Sequence, residues 1–205
     1  MRILSIITWL PIVGLVAVLA LPRAQERLAP KVALVAAGAT FALSWGLLVN
    51  FDRGSAEPQF DEQATWIPEL GMTYSLGVDG LSYPLVLLTT LLTVVALLAS
   101  LNVEHNPKAY CAWMLLLEFS ILGVFVAQDW FLFYVFWEIA LVPMFFLIGL
   151  WGGPEKSRAT MTFFLYTLGG SIFMLIGIFA IYLAAEPHTF DMAELAAASD
   201  GWTRG

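Results

Sequence analysis

The chain has 205 residues, of which 60% are hydrophobic and 12% are charged, and its mean hydropathy is +0.83. Soluble domains are about half apolar and about a quarter charged, so this composition indicates a membrane protein. The net charge of −7 does not indicate a basic partner, because most acidic residues fall in two loop regions rather than on one patterned face, and we expect no nucleic-acid binding. Cys111 is the single cysteine and no Cys or His cluster has metal-site spacing, so we expect no cofactor bound by this chain.

Six segments are long and apolar enough to cross a membrane. A spanning helix needs about 20 mostly apolar residues, because the hydrocarbon core is roughly 30 Å thick. These segments lie near residues 3–21, 31–50, 80–101, 110–127, 130–150 and 161–185. We therefore predict an all-α membrane protein of six transmembrane helices. Residues 1–50 hold two helices, 51–79 an outer loop, 80–185 four helices, and 186–205 an outer tail.

The loop at residues 51–79 is rich in turn-forming residues. Its stretch "MTYSLGV" alternates in part like a strand, which predicts a short hairpin lying over the helices. Asp79 and Ser82 at the end of the loop have the chemistry of a cap for the third helix, because an acid suits the positive end of a helix dipole.

The distribution of Lys and Arg predicts the orientation. One side of the predicted bundle holds three basic residues, which are Arg2, Arg53 and Arg204. The other side holds six, which are Arg23, Arg27, Lys31, Lys108, Lys156 and Arg158. The excess on the second side indicates that this side is cytoplasmic and that the N-terminus is outside. We expect a multi-pass protein of the cell membrane, such as a bacterial inner membrane.

Two neighbouring predicted helices each contain one acid. Glu138, in the stretch "FYVFWEIALVPMFF", lies about nine residues into the fifth segment, hence roughly 13 Å deep. Glu118 lies at a similar depth in the fourth segment, which is joined to the fifth by a tight turn at residues 128–129. A charge at such a depth costs about 2.5–3.5 kcal/mol on insertion scales, so an intramembrane acid indicates function. We predict that Glu138 and Glu118 translocate protons; the alternative is that both are protonated and serve helix packing.

Glu138 has no basic partner at membrane depth, because every Lys and Arg lies in a loop or at a predicted helix end. It is therefore either neutral at rest or paired with another polypeptide. Pro143 follows five residues later and has no backbone N–H, which leaves the carbonyl of Ile139 without its helical partner. This predicts a helix kink at Pro143, which either holds a water molecule beside the acid or serves packing alone.

Small and hydroxyl residues mark two other predicted helices. The third segment carries Ser82, Thr89, Thr93 and Ser100, and the sixth carries Thr167, Gly170, Ser171 and Gly177. Such residues are typical of close helix packing in membranes. A hydrated path along these faces is the alternative interpretation.

Four stretches then suggest a family: "LGVDGLSYPLVLLT", "GVFVAQDWFLFYVFWEIALVPMFFLIGLWGG", "TFFLYTLGGSIFMLI" and "TFDMAEL". In order and spacing they resemble the N-terminal portion of subunit M of NADH-quinone oxidoreductase (respiratory complex I), also called the subunit 4 family. The resemblance extends over residues 66–195, whereas the first two helices match by hydropathy alone.

The resemblance implies an antiporter-like membrane subunit that takes part in proton translocation, driven by electron transfer from NADH to quinone elsewhere in the complex. NADH and quinone would be used by the whole complex, with no redox centre in this chain. Glu138 matches the key acid of the family's fifth helix, which pairs with a lysine on a later helix, and Glu118 also matches an acidic position. The implied partners are the lipid bilayer and the other membrane-arm subunits of complex I.

Two departures from the family pattern limit what the resemblance implies. Members of the family are longer, and the lysines and second inverted repeat of their later part are absent from these 205 residues. Thr162 stands where we would expect a lysine. We therefore expect an incomplete antiporter-like fold from a truncated, split or partly represented gene product. The alternatives are a subunit of a multi-subunit cation/proton antiporter, or a non-pumping membrane scaffold.

Overall fold

The computed structural model describes residues 2–52, 54–55, 57–186 and 188–202, the last four of them by backbone alone. Within these residues the chain forms seven α-helices and one pair of β-strands. The elements are α1 (Ile3–Ala20), α2 (Ala29–Gly46), β1 (Gln59–Ile67), β2 (Met72–Val78), α3 (Ser82–Ala99), α4 (Pro107–Val126), α5 (Trp130–Trp151), α6 (Lys156–Ala184) and α7 (Met192–Trp202).

Among the residues that the structure describes, the helices long and apolar enough to span a membrane are α1 to α6, which confirms the predicted number of spans. The largest difference in boundary is at α6, which begins at Lys156 rather than near residue 161 and is 29 residues long. Pro143 lies inside α5, whose residues stay helical from Trp130 to Trp151, and the kink there stays a prediction.

The first four helices pack into one group. Helix α1 contacts α2 and α4, and α3 contacts α2 and α4. Helix α5 then packs on α4, and α6 packs on α5. Helix α6 is consequently the most exposed span, and its uncovered face is apolar, as contact with lipid or another membrane helix requires.

Helices α4 and α5 approach closely because one glycine leaves room for an aromatic ring. A Cβ atom on Gly123 of α4 would collide with the ring of Phe136 of α5. Further along the same interface, the rings of Trp113 and Phe146 stack with centroids 4.4 Å apart. The tight turn at residues 127–129 therefore leads into an antiparallel helix pair packed along its length.

Strands β1 and β2 form an antiparallel hairpin over one end of the bundle. The connection bends at Gly71, whose φ of 65° is a conformation that glycine adopts without strain. We call this end of the bundle the hairpin side; it also carries the start of α1, the α4–α5 turn and α7. The expected loop at residues 51–79 therefore contains regular structure, and so does the expected tail at 186–205.

Carboxylates cap the N-termini of three helices on the hairpin side. Asp79 Oδ1 accepts hydrogen bonds from the backbone N–H of Leu81 and Ser82 at 2.9 and 2.7 Å, which confirms the predicted cap on α3. Asp129 accepts from the N–H groups of residues 131 and 132 at the start of α5. Asp191 does the same for residues 193 and 194 at the start of α7. Each acid satisfies backbone donors that a helix start leaves without partners.

The start of α1 is capped by a residue from the hairpin. Glu62 of β1 accepts hydrogen bonds from the backbone N–H of Leu4 at 2.7 Å and of Ser5 at 3.1 Å, and also from the Ser5 hydroxyl. Tyr74 of β2 accepts a hydrogen bond from the indole N–H of Trp9 at 3.1 Å. The hairpin therefore holds α1 in place over a sequence separation of more than fifty residues.

Candidate functional site

Glu138 lies in the middle of α5, at a position set by the Asp129 cap. The helix starts at Trp130, so Glu138 is eight residues along it, about 12 Å from the hairpin-side end. Its side chain is half-buried, and its Oε1 atom is buried without a hydrogen-bond partner among the described residues. A polar atom with no protein partner at this depth is the feature that marks the site.

Helix α6 supplies the opposite wall of the Glu138 site. The rings of Phe145 and Phe164 lie with centroids 5.2 Å apart, and this contact sets the antiparallel register of α5 and α6. In that register Ser171 of α6 is level with Glu138. Ser171 is 3% exposed, and its hydroxyl donates to the carbonyl oxygen of Leu168 at 3.0 Å.

Tyr134 links the two helices at this level. It lies one helical turn before Glu138 and packs against a cluster that includes Ile178 of α6. The spacing i, i+4 places Tyr134 and Glu138 on the same face of α5. Beside these residues a groove of about 250 Å³ runs between α5 and α6, lined by Trp137, Tyr166, Thr167, Gly170, Ser171 and Met174.

Glu118 occupies a different environment, inside the group formed by α1 to α4. It is 1% exposed, and both of its carboxyl oxygens are buried without a hydrogen-bond partner among the described residues. It shares a face of α4 with Cys111 and Leu115, which pack against residues of α2 and α3. The contacts of α4 with α5, through Phe119 and Gly123, lie on another face of α4.

The structure does not bring the two acids together. Each lies eight residues from the hairpin-side end of its helix, Glu118 before Val126 and Glu138 after Trp130, so their depths are similar as predicted. Glu138, however, faces α6, whereas Glu118 faces the interior of the group formed by α1 to α4. The two predicted proton sites are therefore separate, on opposite sides of the α4–α5 interface.

Two buried threonines lie near the depth of Glu118. Gly14 of α1 lies against Ala36 of α2 and Leu115 of α4, which aligns the three helices at that level. From this alignment, Thr8 and Thr40 are within about one helical turn of the depth of Glu118. Both are fully buried, and Thr8 Oγ1 has no hydrogen-bond partner among the described residues.

Basic side chains are absent from the depth of both acids in the part of the chain that the structure describes. Each described Lys and Arg lies in a connection or within the first turn of a helix. The same residues contain no group of three or more His, Cys, Asp or Glu that could hold a metal ion. Any charge that pairs with Glu138 or Glu118 at membrane depth therefore comes from outside these residues.

Two acids on the hairpin side have shifted proton affinities. Backbone hydrogen bonds, first from Ser82 and then from Leu81, hold the pKa of Asp79 below its ordinary value. Burial raises the pKa of Asp61, and the nearby charges of Asp191 and Glu57 raise it further. The two shifts are opposite because the environments of the carboxylates differ. Backbone N–H donors stabilise the ionised form of Asp79, whereas desolvation and nearby negative charges destabilise the ionised form of Asp61.

The sequence alone predicted the acids but not their neighbours. Tyr134 was visible as a residue four positions before Glu138, a spacing that places two side chains on one helix face. In the sequence Ser171 is only one of several small residues, because its relation to Glu138 depends on the register between α5 and α6. The cap provided by Glu62 has no local signal, since it comes from a distant strand.

Two protein-family models match the chain. The model described as "NADH-ubiquinone oxidoreductase chain 4, amino terminus" matches residues 63–128. The model described as "NADH:quinone oxidoreductase/Mrp antiporter, TM" matches residues 127–204. Together the two matches cover most of the chain, from β1 to its last residues.

Individual relatives of the chain carry names of the same kind as the two family models. The chain is 40% identical to "NAD(P)H-quinone oxidoreductase chain 4 1" of Synechococcus sp. (strain JA-3-3Ab), over 96% of its own length and 37% of the relative's. It is 43% identical to "NADH-quinone oxidoreductase subunit M" of Rhodobacter capsulatus, over 90% of its own length and 36% of that protein's.

A solved structure agrees with these relatives. A chain of respiratory complex I from Thermus thermophilus, solved with bound NADH, has a TM-score of 0.81 and 32% identity to this chain. The match covers 97% of this chain and 39% of that one, so the protein described here spans less than half the length of the relatives that it matches. The chain belongs to the family of NADH-quinone oxidoreductase subunit M and chain 4, and matches the amino-terminal part of that family.

Proposed function

We propose that this chain is a membrane subunit of a proton-pumping NADH-quinone oxidoreductase and contributes to proton translocation coupled to electron transfer from NADH to quinone. The observation that carries the proposal is the carboxyl group of Glu138, half-buried at mid-helix with one oxygen unpartnered. The names of the relatives support the choice of complex, since they are quinone oxidoreductase subunits.

The chemistry of such a site is proton exchange. A carboxyl group away from water favours its neutral form, and a cation brought within about 4–6 Å favours the anion again. A cation that approaches and leaves therefore makes Glu138 release and take up a proton. Because the described residues supply no cation at this depth, the cation belongs to another segment or another subunit.

Glu118 acts in this proposal as a second proton-carrying group. Its two unpartnered oxygens inside the α1–α4 group give it the same chemistry in a more enclosed place. Since the two carboxyl groups face opposite ways, a proton passing between them needs water or other polar groups around the α4–α5 pair. The predicted kink at Pro143 would free the carbonyl of Ile139 to bind such a water molecule.

The partners follow from the same assignment. They are the other membrane-arm subunits of the complex together with the lipid bilayer, and the uncovered apolar face of α6 is available for such contacts. The chain itself would hold no redox cofactor, and NADH and quinone would be used by the whole complex.

We place the chain in the cell membrane with its N-terminus and hairpin side outside. Support comes from the basic residues at the opposite ends of the helices, such as Arg27, Lys108 and Arg158, which a cytoplasmic surface favours. Arg2 lies on the hairpin side, and Arg53 and Arg204 are outside the described residues.

The experiment that tests this function replaces Glu138 with Gln in the assembled complex. Gln keeps the size of the side chain and its hydrogen-bonding ability but cannot exchange a proton. We expect NADH-driven proton pumping to fall steeply while the complex still assembles. Near-normal pumping with Glu138→Gln would remove Glu138 from the proton path.

The same preparation separates the two alternative functions. A subunit of a cation/proton antiporter would support sodium-dependent proton exchange without NADH oxidation. A non-pumping scaffold would tolerate Glu138→Gln without change in activity or assembly, whereas substitution of Gly123 by a larger residue would impair assembly. The second matching family model includes antiporters in its description, which is why the sodium measurement is needed.

A further inference from the structure

We propose that Glu138, Tyr134 and Ser171 form a hydrogen-bond chain whose direction reverses with the protonation state of Glu138, so that α6 responds to the proton carried by α5. Tyr134 and Ser171 are positioning residues in this hydrogen-bond chain. The inference rests on the proposed proton-carrying role of Glu138 and deepens it, because it names the groups that hold the carboxyl in each state.

The first link joins Tyr134 to Glu138. Side chains on a helix lean toward its N-terminus, so the carboxyl group of Glu138 extends back toward the turn that carries Tyr134. The spacing i, i+4 places the phenol of Tyr134 and this carboxyl group on the same face of α5. A tyrosine hydroxyl has one proton to donate and lone pairs to accept with, so it can bind either form of a carboxyl group.

The second link joins Tyr134 to α6. Ser171 of α6 is buried and level with Glu138 in the α5–α6 register, one helical turn from the level of Tyr134. Ser171 donates its own proton to the carbonyl oxygen of Leu168 and keeps lone pairs free to accept one. Tyr134 also packs against the cluster of Met72, Ile178 and Phe190, which includes a residue of α6.

The two states differ in where the phenol proton points. When Glu138 is ionised, the hydroxyl of Tyr134 donates to its carboxylate. When Glu138 carries a proton, the carboxyl O–H donates to the Tyr134 oxygen, Tyr134 donates to Ser171, and Ser171 donates to Leu168. The proton bound by Glu138 stays on Glu138, and only the hydroxyl groups rotate. The observed bond from Ser171 to Leu168 fits the second state.

Other titratable groups on the neighbouring elements face elsewhere. Helix α4 carries Glu118, which is buried inside the group formed by α1 to α4, and α6 carries Tyr166, which is 85% exposed. Tyr74 of β2 bonds to Trp9 of α1. Tyr182 of α6 stacks on Phe190, and Tyr134 shares the face of α5 that carries Glu138.

Infrared difference spectroscopy of the assembled complex tests the proposed hydrogen-bond chain. The carbonyl stretch of protonated Glu138 is identified as the band that disappears in Glu138→Gln. We expect Tyr134→Phe to move this band to higher wavenumber, because the carboxyl O–H loses its acceptor. The matched control is Tyr110→Phe, which removes a comparable Tyr–Ser hydrogen bond, 2.8 Å to Ser100, on another pair of helices. An unmoved band in Tyr134→Phe would overturn the inference.

The serine end provides an independent pair of variants. Ser171→Ala removes the acceptor for Tyr134 and should move the same band, whereas Ser171→Thr keeps a hydroxyl and should restore it. Ser120→Ala, which removes a similar buried hydroxyl bonded to its own helix, should leave the band in place. An unchanged wavenumber of the Glu138 band in Ser171→Ala would overturn the inference, even if the Tyr134→Phe complex fails to assemble. Normal pumping with Glu138→Gln would instead contradict the proposed function, whatever the spectra show.

Discussion

Glu118 and Glu138 lie at similar depth on two packed helices and face away from each other. Glu118 is enclosed by α1 to α4, and Glu138 faces α6. Neither acid shares a hydrogen bond with the other, so the two are separate carboxyl groups rather than one carboxyl pair. Their separation makes the stability and activity effects of each acid distinguishable.

Replacing Glu118 with Met should stabilise the isolated chain. The buried carboxyl group has no described partner, and an unsatisfied buried polar group costs about 1–3 kcal/mol. Met has a similar size and fills irregular space without a polar atom. The free energy of unfolding in detergent micelles measures the gain.

Glu62→Met is the matched control for Glu118→Met. Glu62 is also buried, but its carboxylate accepts hydrogen bonds from Leu4 and Ser5 at the start of α1. We expect this variant to lose stability, since it leaves those donors without a partner. A loss of stability in Glu118→Met would mean instead that the Glu118 carboxyl has a partner in the folded chain.

Gly123→Ala should weaken the contact between α4 and α5. The added Cβ would collide with the ring of Phe136, and overpacking of this kind typically costs about 1–3 kcal/mol. Phe136→Leu in the same chain should recover part of that loss, so the double-mutant cycle should show a coupling between the two positions. Gly38→Ala, where no atom lies within 4 Å of the new Cβ, serves as the control and should not destabilise.

Asp129→Ala should be more destabilising than Asp191→Ala. The carboxylate of Asp129 is 1% exposed and also accepts from the backbone N–H and hydroxyl of Thr73, so it joins α5 to the hairpin. Asp191 caps α7 alone, and loss of such a cap costs about 1 kcal/mol. Equal losses in the two unfolding free energies would show that the link to Thr73 contributes nothing.

Asp79→Asn should remove an acid-sensitive part of the stability. Hydrogen bonds from Ser82 and Leu81 lower the pKa of Asp79 in the folded chain. Its contribution is therefore complete above the ordinary pKa of about 3.9 and is lost as the pH falls through the lower folded value. The difference in unfolding free energy between the original chain and Asp79→Asn should shrink as the pH falls below about 4.

Asp61→Asn is the control, because we expect it to change the unfolding free energy in the opposite direction. Burial and the charges of Asp191 and Glu57 raise the pKa of Asp61, so its ionised form weakens the fold at neutral pH. This variant should be more stable than the original chain at neutral pH and equal to it in acid. A pH-independent effect at both positions would contradict these assignments.

The sequence predicted the parts of the fold that depend on local pattern. Runs of apolar residues located the six spans, and the acid at 138 stood out because its helix is otherwise apolar. Asp79 was predictable as a cap because the donors it satisfies are its near neighbours in the chain. Helix α7 was missed, although "DMAE" has the acidic spacing of a helix start.

What the sequence could not predict depends on contacts between distant segments. The depth of Glu118 was predictable from its position, but the direction it faces required the packing of Cys111 and Leu115 against α2 and α3. The relation of Ser171 to Glu138 likewise required the contact between Phe145 and Phe164. Hydrophobic periodicity carries no such information in a membrane helix, whose lipid-facing and buried faces are both apolar.

NADH-driven proton pumping by the assembled complex with Glu138→Gln tests the central claim most directly. The ratio of protons moved to NADH oxidised is measured in sealed membrane vesicles, beside the control Glu104→Gln, which makes the same change in an exposed loop. The account predicts a large fall in this ratio for Glu138→Gln and no change for Glu104→Gln. An unchanged ratio in an assembled Glu138→Gln complex would contradict it.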